Sequence, residues 1–83
     1  MKSITISLNS IEKVKEFVNV ISTFDGDFDL VSERYVIDAK SIMGIFSLDI
    51  SKELRLDIHD NVPEPEKVAE ALSKFNKDWD FGG

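Results

Sequence analysis

Polar and apolar residues alternate through Lys2-Ser3-Ile4-Thr5-Ile6-Ser7-Leu8 at the start of the chain. Side chains on a strand point to opposite faces in turn, so this stretch predicts a half-buried strand with Ile4, Ile6 and Leu8 inward. The period then changes. Ile11, Val14, Phe17, Val18 and Ile21 recur at helical spacing, with Glu12, Lys13, Lys15, Glu16 and Asn19 on the other face. That pattern predicts an amphipathic helix ending near Thr23. Asn9-Ser10 offers its cap, with Glu12 three residues after Asn9 in the manner of a capping box. Asp25-Gly26-Asp27 is turn chemistry, and Phe28 and Leu30 alternate with Asp29 and Val31 in a second strand. Ser32-Glu33-Arg34 is the expected hairpin turn into a short third strand, Tyr35-Val36-Ile37.

Alternation returns in Glu53-Leu54-Arg55-Leu56-Asp57-Ile58-His59, with Leu54, Leu56 and Ile58 inward. Pro65 then opens a last helix whose buried stripe is Val68, Ala69, Leu72 and Phe75, and Glu70 and Lys74 are spaced for a surface ion pair. Residues 76–83 show no period and hold Trp79 and Phe81. The order strand, helix, strand, strand, helix, strand, helix, with one apolar face on each strand, predicts an α+β two-layer sandwich with the far side of the sheet wet. The 83 residues are one domain, expected over residues 1–76 with 77–83 as a C-terminal tail.

The stretch between the third and fourth strands is less ordinary. Asp38-Ala39-Lys40-Ser41 leads into Ile42-Met43-Gly44-Ile45-Phe46-Ser47-Leu48. Ser41 reads as an N-cap, because its hydroxyl oxygen can accept a helix amide hydrogen. Ile42, Met43, Ile45, Phe46 and Leu48 would cover most of a two-turn helix, too many sides for an ordinary surface helix. Either the helix is sunk in the protein or part of it is exposed and used.

Charge narrows the partners. Ten basic against sixteen acidic residues leave a net charge of −6, with no positive stripe for nucleic acid or an anionic membrane surface. There is no cysteine, so no disulfide framework or thiolate metal site supports the fold. No apolar leader or membrane-length run is visible in the sequence, so a cytoplasmic protein is expected. Asp25, Asp27 and Asp29 do not have the spacing of a calcium loop and read as a solvated turn, with no metal expected. His59, the single histidine, falls on the wet side near a strand end and is expected to lack both a second ligand and an orienting partner.

The element order and Lys40-Ser41-Ile42-Met43-Gly44-Ile45-Phe46-Ser47-Leu48 resemble the HPr family, the small phosphocarriers of the bacterial sugar phosphotransferase system. The spacing from Phe24-Asp25-Gly26-Asp27 to this segment also fits, and the resemblance runs from about Ile4 to Phe75. It implies an open-faced βαββαβα sandwich, with three helices on one face of an antiparallel sheet ordered 1-4-2-3. It also implies that Ser41 is the family's regulatory serine, phosphorylated by a dedicated kinase. Ile42, Met43 and Phe46 would then form the apolar patch that docks partner proteins.

The phosphocarrier chemistry does not carry over. Counting back from Phe24, the family's phosphorylated histidine falls on Ser10, its arginine on Glu12 and the following proline on Lys13. A phosphohistidine needs an imidazole nucleophile and a nearby cation, and Glu12 would repel the phosphoryl group. The sequence therefore points to a non-catalytic interaction protein with no cofactor, whose partners are proteins, a serine kinase of the HPr-kinase type among them. The alternatives are a phosphoryl carrier using Ser10 or His59, and a structural module sharing only the fold.

Overall fold

Seven elements form in the predicted order: β1 (Lys2–Ile6), α1 (Ile11–Ile21), β2 (Phe28–Ser32), β3 (Tyr35–Asp38), α2 (Ile42–Phe46), β4 (Leu54–Ile58) and α3 (Pro65–Ala71). The structure is a computed structural model that describes residues 2–33 and 35–75. Arg34 of the expected hairpin turn, the domain boundary expected at residue 76, and Trp79 and Phe81 lie outside the described residues.

The strands form one antiparallel sheet in the order β1-β4-β2-β3. Register decides which side chains share a face. Ile4 and Ile6 pair with Leu56 and Leu54, while Phe28 and Leu30 pair with Ile58 and Leu56. Those residues all point to the helical layer. Leu54, Leu56, Ile58, Phe28, Leu30 and Ile6 are buried there with Val14, Phe17 and Ile21 of α1, Ile45 of α2 and Val68 of α3. Phe17 and Phe75 meet edge to face with centroids 6.0 Å apart, joining α1 to the residue that closes the α3 segment.

Local chemistry sets the helix boundaries, with some corrections to the sequence reading. The α1 cap is Ser10, whose Oγ accepts from the Lys13 amide at 3.2 Å. Asn9 instead takes a left-handed backbone at φ 32°. Counted from Ser10, the third helical residue is Lys13, so Glu12 closes no capping box. Ile11 is 59 % exposed rather than buried, because it opens the first turn at the edge of the stripe, about 60° round the helix from Val14. Ala69 is only half-buried beside Val68 and Leu72. The Lys74 ammonium bonds Glu16 of α1 at 2.6 Å, where the sequence suggested Glu70. Helix α3 ends at Ala71, so Glu70 and Lys74 do not share a helical face and the lysine reaches α1 instead.

Gly26 shows where the backbone itself is constrained. Its φ is +105°, and a Cβ there would lie 2.7 Å from Val62 Cγ2 and 2.9 Å from Val62 Cα. Around it, Asn61 Oδ1 accepts from the Asp27 amide at 3.0 Å, and Asn61 Nδ2 donates to Asp27 Oδ2 at 2.8 Å. The 25–27 turn and the 59–62 loop are therefore packed as one unit. Gly26→Ala is expected to destabilise the domain by at least about 1–3 kcal/mol, the cost of a strained backbone before any clash is relieved. Urea unfolding should show a lower midpoint at unchanged slope.

Candidate functional site

The segment 38–48 folds as its residue types require. Asp38 ends β3, and its Oδ1 accepts from the Lys40 amide at 2.9 Å. Ser41 caps α2 with extended backbone (φ −95°, ψ 101°), and its Oγ accepts from the Gly44 amide at 3.2 Å. Gly44 is needed for space. A Cβ at this position would sit 3.2 Å from the Ser41 oxygen and 3.4 Å from Ile37 Cδ1, so glycine lets α2 lie close on β3 without crowding the cap.

The helix is half sunk and half exposed. Ile45 and Leu48 are buried, and Ile42 is half-buried and packs against the core. Met43 and Phe46 point outward, at 76 % and 40 % exposed. The apolar surface is thus narrower than the expected triad, since Ile42 is shared with the core. Ser41 is exposed on the same short helix.

Lys40 has a role that the sequence did not signal. Its Nζ donates to the carbonyl oxygens of Phe24 (2.8 Å) and Gly26 (3.2 Å) and lies 5.4 Å from the Phe28 ring centroid. The motif's cation is spent on the 24–26 loop. Lysine followed by a capping serine gave no hint of this, because both carbonyls come from the far side of the β2–β3 hairpin.

Ser10, Glu12 and Lys13, the positions expected to match the phosphocarrier site, stand at the start of α1. Ser10 is occupied as a cap, and Glu12 and Lys13 are exposed on the first turn. His59 lies at the other end of the sheet, since it follows Ile58, which pairs with Lys2, while Ser10 lies beyond Ile6. The expectation that His59 has no orienting partner is corrected: its Nε2 is 2.7 Å from Asp29 Oδ2, so Nε2 carries the hydrogen. Asp29 reaches it because β2 and β4 are neighbours, a pairing invisible to local alternation. The Asp29 hydrogen bond, aided by the charges of Asp29, Asp27 and Asp57, holds the imidazole pKa above its ordinary value. The carboxylates around this ring oppose an incoming phosphoryl group, whose negative charge they repel.

The model of the family described as "PTS HPr component phosphorylation site" matches residues 12–78. The chain belongs to the HPr family. A crystal structure of HPr-C-His from Thermoanaerobacter tengcongensis is 27 % identical, with a TM-score of 0.76, and the match covers 100 % of this chain and 98 % of that one. Comparison with curated proteins gives no match. The open-faced sandwich and strand order expected from the resemblance are those of the HPr fold. HPr proteins are phosphocarriers rather than enzymes in themselves and work with other proteins of the phosphotransferase system. Among the described residues, no helix is long and apolar enough to cross a membrane.

The His59–Asp29 bond makes a pH prediction. His59 binds its proton more tightly folded than unfolded, so its contribution is complete below the unfolded pKa of about 6.5. It is lost as pH rises through the higher folded value. Stability should therefore fall as pH rises above about 6.5, and Asp29→Asn should flatten that slope. Urea midpoints across the range, with the imidazole titration followed by NMR, measure both.

Proposed function

We propose that this HPr family member is a non-catalytic regulatory protein that lacks the phosphocarrier histidine, docks protein partners through α2, and is switched by phosphorylation of Ser41. The observation that carries this reading is the pairing of an exposed capping serine with two exposed apolar side chains, Met43 and Phe46, on one short helix. Exposed apolar clusters mark interaction surfaces more often than chance, and methionine suits adaptable ones. Ile42 is half-buried and packs against the core.

The Ser41 oxygen already faces the Gly44 amide. A phosphate there adds negative charge where a helix start favours it, an effect typically about 0.3–1 kcal/mol. Asp38 and the overall −6 oppose it, but exposed charges are screened beyond about 8–10 Å at ordinary salt. The phosphorylated form is therefore compatible with the fold.

The absence of carrier chemistry is supported by Ser10, Glu12 and Lys13 at the positions counted back from Phe24. A carrier reading through His59 has Asp29 as an orienting partner in its favour, but the same carboxylate occupies Nε2 and repels an incoming phosphoryl group. Ser10 is no better, because a serine phosphoester is too stable to pass its phosphoryl group on readily.

Two experiments test the proposal. Phosphoenolpyruvate with the general enzyme of the phosphotransferase system should leave the chain unlabelled, and acid-labile label on His59 would refute the loss of carrier function. A kinase specific for the HPr regulatory serine, with ATP, should label Ser41 and change the melting midpoint little. Ser41→Ala should abolish labelling and cost about 1 kcal/mol as a lost cap. Label that persists in that variant, or lands on Ser47 or Ser51, rejects the assignment.

A further inference from the structure

Met43 is the most exposed large apolar side chain among the described residues, at 76 %. It is also one of only two methionines in a chain without cysteine, the other being Met1. An oxidant that reacts with sulfur therefore finds one accessible target on the described surface. The neighbourhood separates fold from function. α2 is held to the domain by Ile45 and Leu48, by half-buried Ile42, and by Gly44 lying close to Ile37. Met43 contributes to none of this anchoring. It instead shares the outward face with Phe46, one turn on, and stands two residues after Ser41.

We propose that Met43 is an oxidation-sensitive switch: a peroxide converts its thioether to the sulfoxide, which closes the α2 face to partner proteins while the fold survives. The inference rests on the docking reading above and names a control of that surface. In the reaction a sulfur lone pair attacks one oxygen of hydrogen peroxide, the S–O bond forms and the O–O bond breaks. The leaving hydroxide takes the proton from the transferred oxygen and departs as water. Sulfur gives up two electrons and the peroxide gains them. The product is polar and strongly hydrogen-bond accepting, so covering it with an apolar partner surface costs desolvation where the thioether cost none. The fold loses nothing comparable, because the side chain stays in water in either state. Methionine sulfoxide reductases reverse the change.

The full chain treated with hydrogen peroxide provides the test, with Met43→Leu as the resistant control that still carries Met1. Peptide mapping should place one added oxygen on Met43 as fast as in the urea-unfolded chain, with the melting midpoint unchanged. Retention on a phenyl column should fall, and KM for Ser41 phosphorylation by the HPr-type kinase should rise about tenfold, a loss of about 1.4 kcal/mol in recognition. Met43→Leu should keep both its retention and its KM after peroxide, and a sulfoxide reductase should restore the native chain. The proposal is overturned if Met43 is protected relative to the unfolded chain, if oxidation melts the domain, or if oxidised protein keeps native retention and KM. A reduced chain that the kinase ignores would reject the Ser41 reading alone. Column retention of oxidised chain against Met43→Leu then decides the switch.

Discussion

Everything in this fold depends on β4 being gripped between β1 and β2. Leu54, Leu56 and Ile58 are at most 1 % exposed, and each pairs with a residue of β1 on one side, while Leu56 and Ile58 also pair with β2 on the other. The β1–β4 ladder joins segments that are separated by most of the chain, so its closure entropy must be offset by burial that only the complete sheet supplies. The β2–β3 hairpin alone, with two strands and an exposed Tyr35 and Val36, would be marginal. Helices α1, α2 and α3 cover one face because that is where the period of two puts Ile6, Phe28, Leu30, Leu54, Leu56 and Ile58, while Val31 and Val36 fall on the other.

The opposite face of the same strands carries charge in a connected arrangement. Register sets Ser3, Asp57, Asp29 and Asp38 side by side across all four strands. Like charges on neighbouring strands repel, and each carboxylate has its own donor. Asp57 accepts from Arg55 at 2.8 and 3.1 Å and from Ser3 at 2.7 Å, Asp29 pairs with His59, and Asp38 accepts from the Lys40 amide. Asp57 is only 6 % exposed. Burial raises its pKa, and the hydrogen bonds from Arg55 and Ser3 outweigh that, leaving it below the ordinary value. Asp57, Asp29 and Asp38 are thus each engaged by a donor of the domain itself.

Lys40 links the site to the rest of the domain. Its ammonium ties the segment before Ser41 to the carbonyls of Phe24 and Gly26, and that turn is held from its other side by Asn61 and Val62. The cap is therefore built on a loop clamped twice, and α2 can stay exposed on one side without being loosely attached. A lysine that looks in the sequence like a charged neighbour of the capping serine is, in three dimensions, part of its foundation.

The sequence by itself determined the element types and their order, because periods of two and 3.6 are local and survive without neighbours. The Ser41 cap, the buried Ile45 and Leu48, and the Lys40–Leu48 motif were legible for the same reason. Contacts between distant segments were not. The partner of His59, the near-complete burial of Asp57 on a wet face, the Lys74–Glu16 pair and the inward turn of Lys40 depend on strand order and helix docking. Even the fate of Ile42, Met43 and Phe46 was undecidable from spacing, since adjacent positions on a short helix differ only in what packs beside them. Tertiary structure made that choice by placing α2 against β3 and α1, which took Ile42 toward the core and left Met43 and Phe46 in water.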